Sequence, residues 1–162
     1  MSGEGIVFFY SKSSPFSQHH PSEFEVDGVR YCCAEQYMMA AKARMFEDTA
    51  SLAAIMGTTD PVAMKREGRR VTPFNKERWD AASEDVVYQA SVSKFGQCPS
   101  LRKALMATGS ALLVEASPRD RIWGIGLSES RARKMRPQDW PGENRLGKAL
   151  MRARATLRAE AG

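Results

Sequence analysis

Two charged side chains interrupt an otherwise apolar helical face between Ala34 and Phe46. Glu35, Met38, Met39, Lys42 and Phe46 recur at i, i+3 and i+4 intervals and so share one stripe of a helix. A carboxylate and an amine together can transfer protons and attack an electrophilic carbon. Seven positions separate them, about 10 Å of helical rise, so they are not the i,i+4 ion pair of an exposed helix. From opposite ends of the stripe they can converge on a small molecule lying across it. The competing reading has each charge snorkelling to water at the edge of the core.

A second cluster runs from Glu115 to Gly126 and mixes carboxylates, an indole and two glycines. Gly124 and Gly126, with Ile125 between them, let backbone N–H groups come close to a ligand. Trp123 can stack on a base and Asp120 can hydrogen-bond a ribose hydroxyl. The plain alternative is a tight turn carrying a core tryptophan. A third cluster, Trp140 to Gly147, puts Asn144, Leu146 and Gly147 at the entry of the last helix, where free N–H groups attract phosphate and Arg145 or Lys148 adds charge. Here the capping role of Asn144 and a packing role of Gly147 compete. His19 and His20 have no Cys or carboxylate at ligand spacing and read as surface residues. Trp79 and Lys94-Phe95 read as helix packing, with a site role only if the fold turns them inward.

The elements that must position these residues are legible in outline. Ile6 to Tyr10 reads as a strand, and Phe24 to Cys32 as a hairpin turning at Asp27-Gly28, which makes the first third β-rich. Helices are expected from Ala34 to Phe46, from Thr49 to Met56 with a stop at Gly57, and from the Asp60-Pro61 cap to near Gly68. Asn75 caps the longest helix, through Trp79 to Lys94, and Pro99 opens another to about Ala107. Leu112 to Glu115 is a strand, Ser117-Pro118 repeats the cap and proline signature, and Glu143 to Ala161 closes the chain as a basic amphipathic helix. The expected fold is α+β, mainly helical, with a small β element.

At 162 residues and 43% hydrophobic content, one compact domain over residues 1–162 is the expectation. The early apolar run Ile6 to Tyr10 is far short of the ~20 residues that cross a bilayer, and the N-terminus lacks the flank of a secretory signal. Cys32, Cys33 and Cys98 form neither a disulfide framework nor a CxxC metal pair, which points to the cytoplasm. With 24 Lys and Arg against 19 Asp and Glu, the net charge of +5 allows an anionic partner. The basic runs Lys65 to Arg70, Arg131 to Arg136 and Arg145 to Arg158 carry no interleaved aromatics. They therefore read as solvated faces in preference to a polyanion groove.

Six segments in order resemble the NADAR (YbiA-like) family: Phe9-Tyr10, Pro15-Phe16-Ser17-Gln18, Glu35-Gln36-Tyr37 through Lys42, Lys94-Phe95, Glu115 through Gly126, and Gly142 through Gly147. Gln18 stands where the family usually has Asn, and Gln36 where it usually has His. The resemblance implies a single YbiA-like domain that hydrolyses the N-glycosidic bond of a phosphorylated ribose derivative. Its substrate would be ADP-ribose on guanine in DNA or RNA, or a ribosylamino-pyrimidine intermediate of riboflavin synthesis. Glu35 would be the general acid and base. Lys42 would be an imine-forming nucleophile, or a phosphate binder if Glu35 and Asp120 act as a carboxylate pair. Phe9, Tyr10, Ser17, Trp123, Gly124, Ile125, Gly126, Asn144, Leu146 and Gly147 would hold the substrate, with Trp79 joining them if its helix faces the site. No metal, other cofactor, membrane or obligate protein partner is expected. The rival class is a module that binds ADP-ribose or nucleic acid without turnover; it gives no reason for an acid and an amine on one apolar stripe.

Overall fold

The computed structural model describes residues 5–161. β1 (Ile6–Phe9) pairs in parallel with β4 (Leu112–Glu115), in the register Ile6 with Leu112 and Phe9 with Glu115. A parallel pair needs a long crossover, and the chain between the two strands supplies it. β2 (Phe24–Val26) and β3 (Val29–Tyr31) form the expected hairpin, with Asp27 at φ 52° and Gly28 at φ 80° in its turn. These strands are short, and most of residues 10–23 is turn, so the first third holds less strand than its sequence suggests.

Helices follow as α1 (Ala34–Met45), α2 (Thr49–Met56), α3 (Pro61–Arg69), α4 (Lys76–Gln97) and α5 (Pro99–Met106), then the short α6 (Glu129–Ala132) and the closing α7 (Arg145–Ala161). The fold is mainly helical α+β in one compact domain. The Asp48, Asp60 and Asn75 side chains each accept a hydrogen bond from a first-turn N–H of α2, α3 and α4, which is why the starts at Asp60 and Asn75 are readable. Ser117-Pro118 opens no helix: residues 116–127 form turns, and Asp120 binds the turn's backbone instead. α3 ends at Arg69, next to Gly68 as expected. A Cβ on Gly68 would stand 2.0 Å from Met39 Sδ, so the glycine lets α3 lie against α1.

α1 is buried on most of its circumference, between α2, α3 and α4. α7 packs on α4 and on β4 and buries Leu146, Leu150 and Leu157. Among the described residues, no helix is long and apolar enough to cross a membrane.

Candidate functional site

Because β1 and β4 are parallel, their C-terminal ends open on the same edge, and the chain leaving each strand contributes to one cleft of about 850 Å³. From the end of β1 come Tyr10, Ser11, Lys12, Ser17, Gln18 and His19. From the end of β4 come Glu115, Ser117, Arg119, Asp120, Ile122 and Trp123. The stripe of α1 closes the cleft with Glu35, Met38, Met39 and Lys42, and Trp79 lines it from the first turn of α4. The acid and the amine read from helical spacing therefore do share one cavity. Phe46, also on that stripe in the sequence, is core and packs edge-on against Phe74.

Glu35 is buried beneath this surface, with His19 Nε2 3.6 Å from its Oε1. His19 is thus not an ordinary surface residue. The contact arises because the Gln18 carbonyl accepts the Glu35 N–H at 3.0 Å, satisfying an otherwise orphan donor at the start of α1 and tying the 11–19 loop to the helix. Burial lowers the pKa of Lys42, the nearby Arg69 lowers it further, and Glu35 acts in the opposite direction. Its Nζ lies 4.6 Å from the centroid of the Phe74 ring.

The positive charge of the cleft comes from places the sequence reading set aside. Lys65 and Arg69 flank Gly68 on α3, so the close approach to α1 brings both to the cleft, where Lys12 and Arg119 join them. Among the described residues none of these four cations is ion-paired to a carboxylate, which leaves them available to a phosphate. Arg145, expected near the phosphate, is engaged by Glu143 at 3.0 Å and by the Asp80 carbonyl and Ser83 hydroxyl of α4. Lys148 is exposed and outside the cleft.

Of the expected binding residues, Tyr10, Ser17, Trp79 and Trp123 line the cleft, as do Glu35, Lys42 and Asp120. Phe9, Gly124, Ile125, Gly126, Asn144, Leu146 and Gly147 do not. Phe9 is core, and Ile125 is fully buried in a second apolar cluster with Val114 and Leu127. The first N–H groups of α7 are not free for a ligand, since Arg145 donates to the Ile122 carbonyl and Leu146 to the Trp123 carbonyl. Asn144 is neither cap nor ligand in this geometry. At φ 54° it turns its amide onto β4, donating from Nδ2 to the Leu113 carbonyl at 2.9 Å and accepting the Glu115 N–H at Oδ1 at 3.1 Å. A Cβ on Gly147 would stand 2.1 Å from that same Leu113 carbonyl, and one on Gly124 2.9 Å from the Glu115 carbonyl. These residues clamp the end of β4, and through it they fix where Glu115 emerges.

Asp120 does double duty. Its Oδ1 accepts from the backbone N–H of Ile122 at 2.9 Å and of Trp123 at 2.8 Å, which shapes the turn that presents the indole. Glu115, read in the sequence only as the start of its motif, is the unexpected carboxyl of the cleft. Burial pushes its pKa up to about 7, with Asp120 and Glu35 adding to the rise and Lys65 and His19 opposing it. Among the described residues no group of three or more His, Cys, Asp and Glu could hold a metal ion.

A family model described as the NADAR domain matches residues 8–158. An N-glycosidase of Acanthamoeba polyphaga mimivirus is 41% identical over 165 residues, which is 95% of this chain and 97% of that protein. The N-glycosidase YbiA of Escherichia coli is 32% identical over 158 residues, covering 96% of this chain and 90% of its own length. The solution structure of the Escherichia coli protein YbiA superposes with a TM-score of 0.80 at 33% identity, covering 98% of this chain and 88% of that one.

Proposed function

The chain belongs to the NADAR domain family, and we propose that it hydrolyses the N-glycosidic bond of a phosphorylated ribose derivative in the cleft described above. The observation that carries this reading is the meeting of a buried carboxylate, Glu35, and a partly desolvated amine, Lys42, with unpaired cations and two tryptophans in one cavity. Relatives over nearly the whole chain named as N-glycosidases support the bond type.

Lys65, Arg69, Lys12 and Arg119 receive the phosphate, and Trp79 or Trp123 stacks on the base. Lys42, whose ammonium is disfavoured by burial and by Arg69, gives up its proton more readily than a free lysine and acts as the nucleophile in its neutral form. It adds to C1′ of the ring-opened glycosylamine, the base departs with a proton, and water hydrolyses the resulting imine to the free sugar. Glu35 accepts the proton released from Lys42, with His19 alongside to share it. The substrate is ADP-ribose on guanine or a ribosylamino-pyrimidine phosphate.

The test is to incubate the purified protein with each of these N-ribosides and measure free base. A mild hydride donor is then added during turnover, and the intact protein is weighed and mapped. Base release together with a sugar adduct on Lys42, missing in Lys42→Arg, is the expected result. Release with no adduct and full activity in Lys42→Met would remove the imine in favour of direct water attack. Tight binding of ADP-ribose with no base released from either substrate would make the protein a binding module.

A further inference from the structure

We propose that Glu115 is the general acid of this site, delivering the proton that the departing base needs, while Glu35 on the facing helix serves as the base. This rests on the N-glycosidase reading and assigns a role within it.

The backbone around Glu115 is held on both sides. Its N–H donates to Asn144 Oδ1 at 3.1 Å and its carbonyl accepts from Ile125 N–H at 3.0 Å. Phe9 pairs with it across the parallel strands. The side chain is the opposite case, because it lines the cleft and among the described residues its carboxyl has no hydrogen-bond or ion-pair partner. A partly buried carboxyl with a fixed stem and free oxygens is positioned to meet a substrate. Asp120, the other carboxyl on this wall, has an oxygen committed to two backbone N–H groups, and Glu35 has His19 beside it. Of the three acids, Glu115 is the one whose carboxyl oxygens have no hydrogen-bond or close ion-pair partner among the described residues; Lys65 and His19 act on its charge only from a distance.

The environment then separates the roles. Burial and the neighbouring Asp120 and Glu35 favour the protonated carboxyl of Glu115, whose pKa of about 7 keeps a large fraction of it as acid at neutral pH. Carboxyls whose surroundings push them apart divide acid from base work in this way. In the reaction the C1′–N bond breaks with its electron pair on the base nitrogen, which takes the Glu115 proton. Water then supplies the oxygen bound at C1′ as it releases Lys42; Glu35 hands back to Lys42 the proton it took, one water proton restores Glu115 and the other remains on the sugar hydroxyl, so the net change is hydrolysis.

Glu115→Gln keeps the volume and removes the proton, so the fold should persist by thermal unfolding. Its kcat on an N-riboside whose base must leave protonated should fall about 100-fold or more, while the Kd of ribose 5-phosphate stays within about 3-fold by the same general-acid reasoning. Wild-type kcat/KM should decline above pH 7 as Glu115 loses its proton, and that limb should vanish from the residual rate of the variant. A substrate whose base leaves as a neutral pyridine needs no proton, so any wild-type rate on it should largely survive in Glu115→Gln. Turnover unchanged in the variant, or loss matched by an equal loss of ribose 5-phosphate binding, would overturn the assignment. A wild-type protein that releases no base at all would instead sink the glycosidase reading on which it stands.

Discussion

Lys94 should make the stability of this protein climb with pH between 7 and 9. Its side chain is 1% exposed, its Nζ donates to the Ser17 carbonyl at 3.0 Å, and it stands 4.9 Å from the centre of the Phe95 ring. Burial lowers its pKa from 10.5 to about 7, against a smaller opposing effect of Cys33. Between those values the unfolded chain holds a proton that the folded chain has released, so stability rises with pH by up to ~1.4 kcal/mol per unit. Below pH 7 both states are charged and the contribution is flat. Cys33 works the other way but only later: burial pushes its thiol from 9.0 up to about 12, so the folded state keeps a proton the unfolded state loses above pH 9. Over the two units from pH 7 to 9 Lys94 gives at most ~2.7 kcal/mol; Lys42 and Cys98, also held below their ordinary values, act in the same direction, so the variant comparison isolates Lys94. Urea unfolding of wild type and Lys94→Met at pH 7, 8 and 9 measures it, since the remaining titrations are common to both proteins. The difference, wild type minus variant, should grow in favour of wild type with pH. Parallel pH profiles would mean that Lys94 stays protonated inside the fold, and the reasoning from burial would fail.

Glu35→Gln should abolish base release while leaving ADP-ribose affinity by calorimetry close to wild type, because the amide keeps the shape but cannot carry a proton; near wild-type turnover would remove Glu35 from the chemistry. Asn144→Ala deletes both hydrogen bonds that hold β4 and places a Cβ-bearing residue without a polar side chain at φ 54°, so unfolding should become easier by about 2–4 kcal/mol in a chemical melt. A loss under ~0.5 kcal/mol, the scale of an ordinary surface change, would show that the amide is not the clamp.

The helices of the fold were legible because their starts carry local chemistry. Asp60 and Asn75 accept hydrogen bonds within the first turn they open, so sequence neighbours suffice to find them. Ser117-Pro118 shows the same letters without a helix, because Asp120 offers the backbone a turn instead and the glycine at 124 lets that turn fold onto Glu115. The end of α3 near Gly68 was legible as well, but the reason for that glycine was not, because the demand on it comes from Met39 of another helix. The parallel pairing of β1 with β4 joins residues more than a hundred positions apart and leaves no local mark on either strand.

That pairing also decides which parts of the site could be read. Glu35 and Lys42 were visible because one helix holds both. His19, the α3 pair Lys65 and Arg69, and Glu115 come to the cleft from three separate parts of the chain, and each looks unremarkable among its own neighbours. The two departures from the family pattern differ in consequence for the same reason. Gln36 points away from the cleft and is saturated, its Oε1 accepting from Cys32 N–H and its Nε2 donating to the Ile55 and Thr58 carbonyls, so it stitches β3 to the end of α2. Gln18 lines the cleft, and its backbone carbonyl sets the first turn of α1. A difference in substrate preference between this protein and its relatives should therefore follow position 18 and not position 36, because a saturated residue behind the wall has no atom left to offer a ligand.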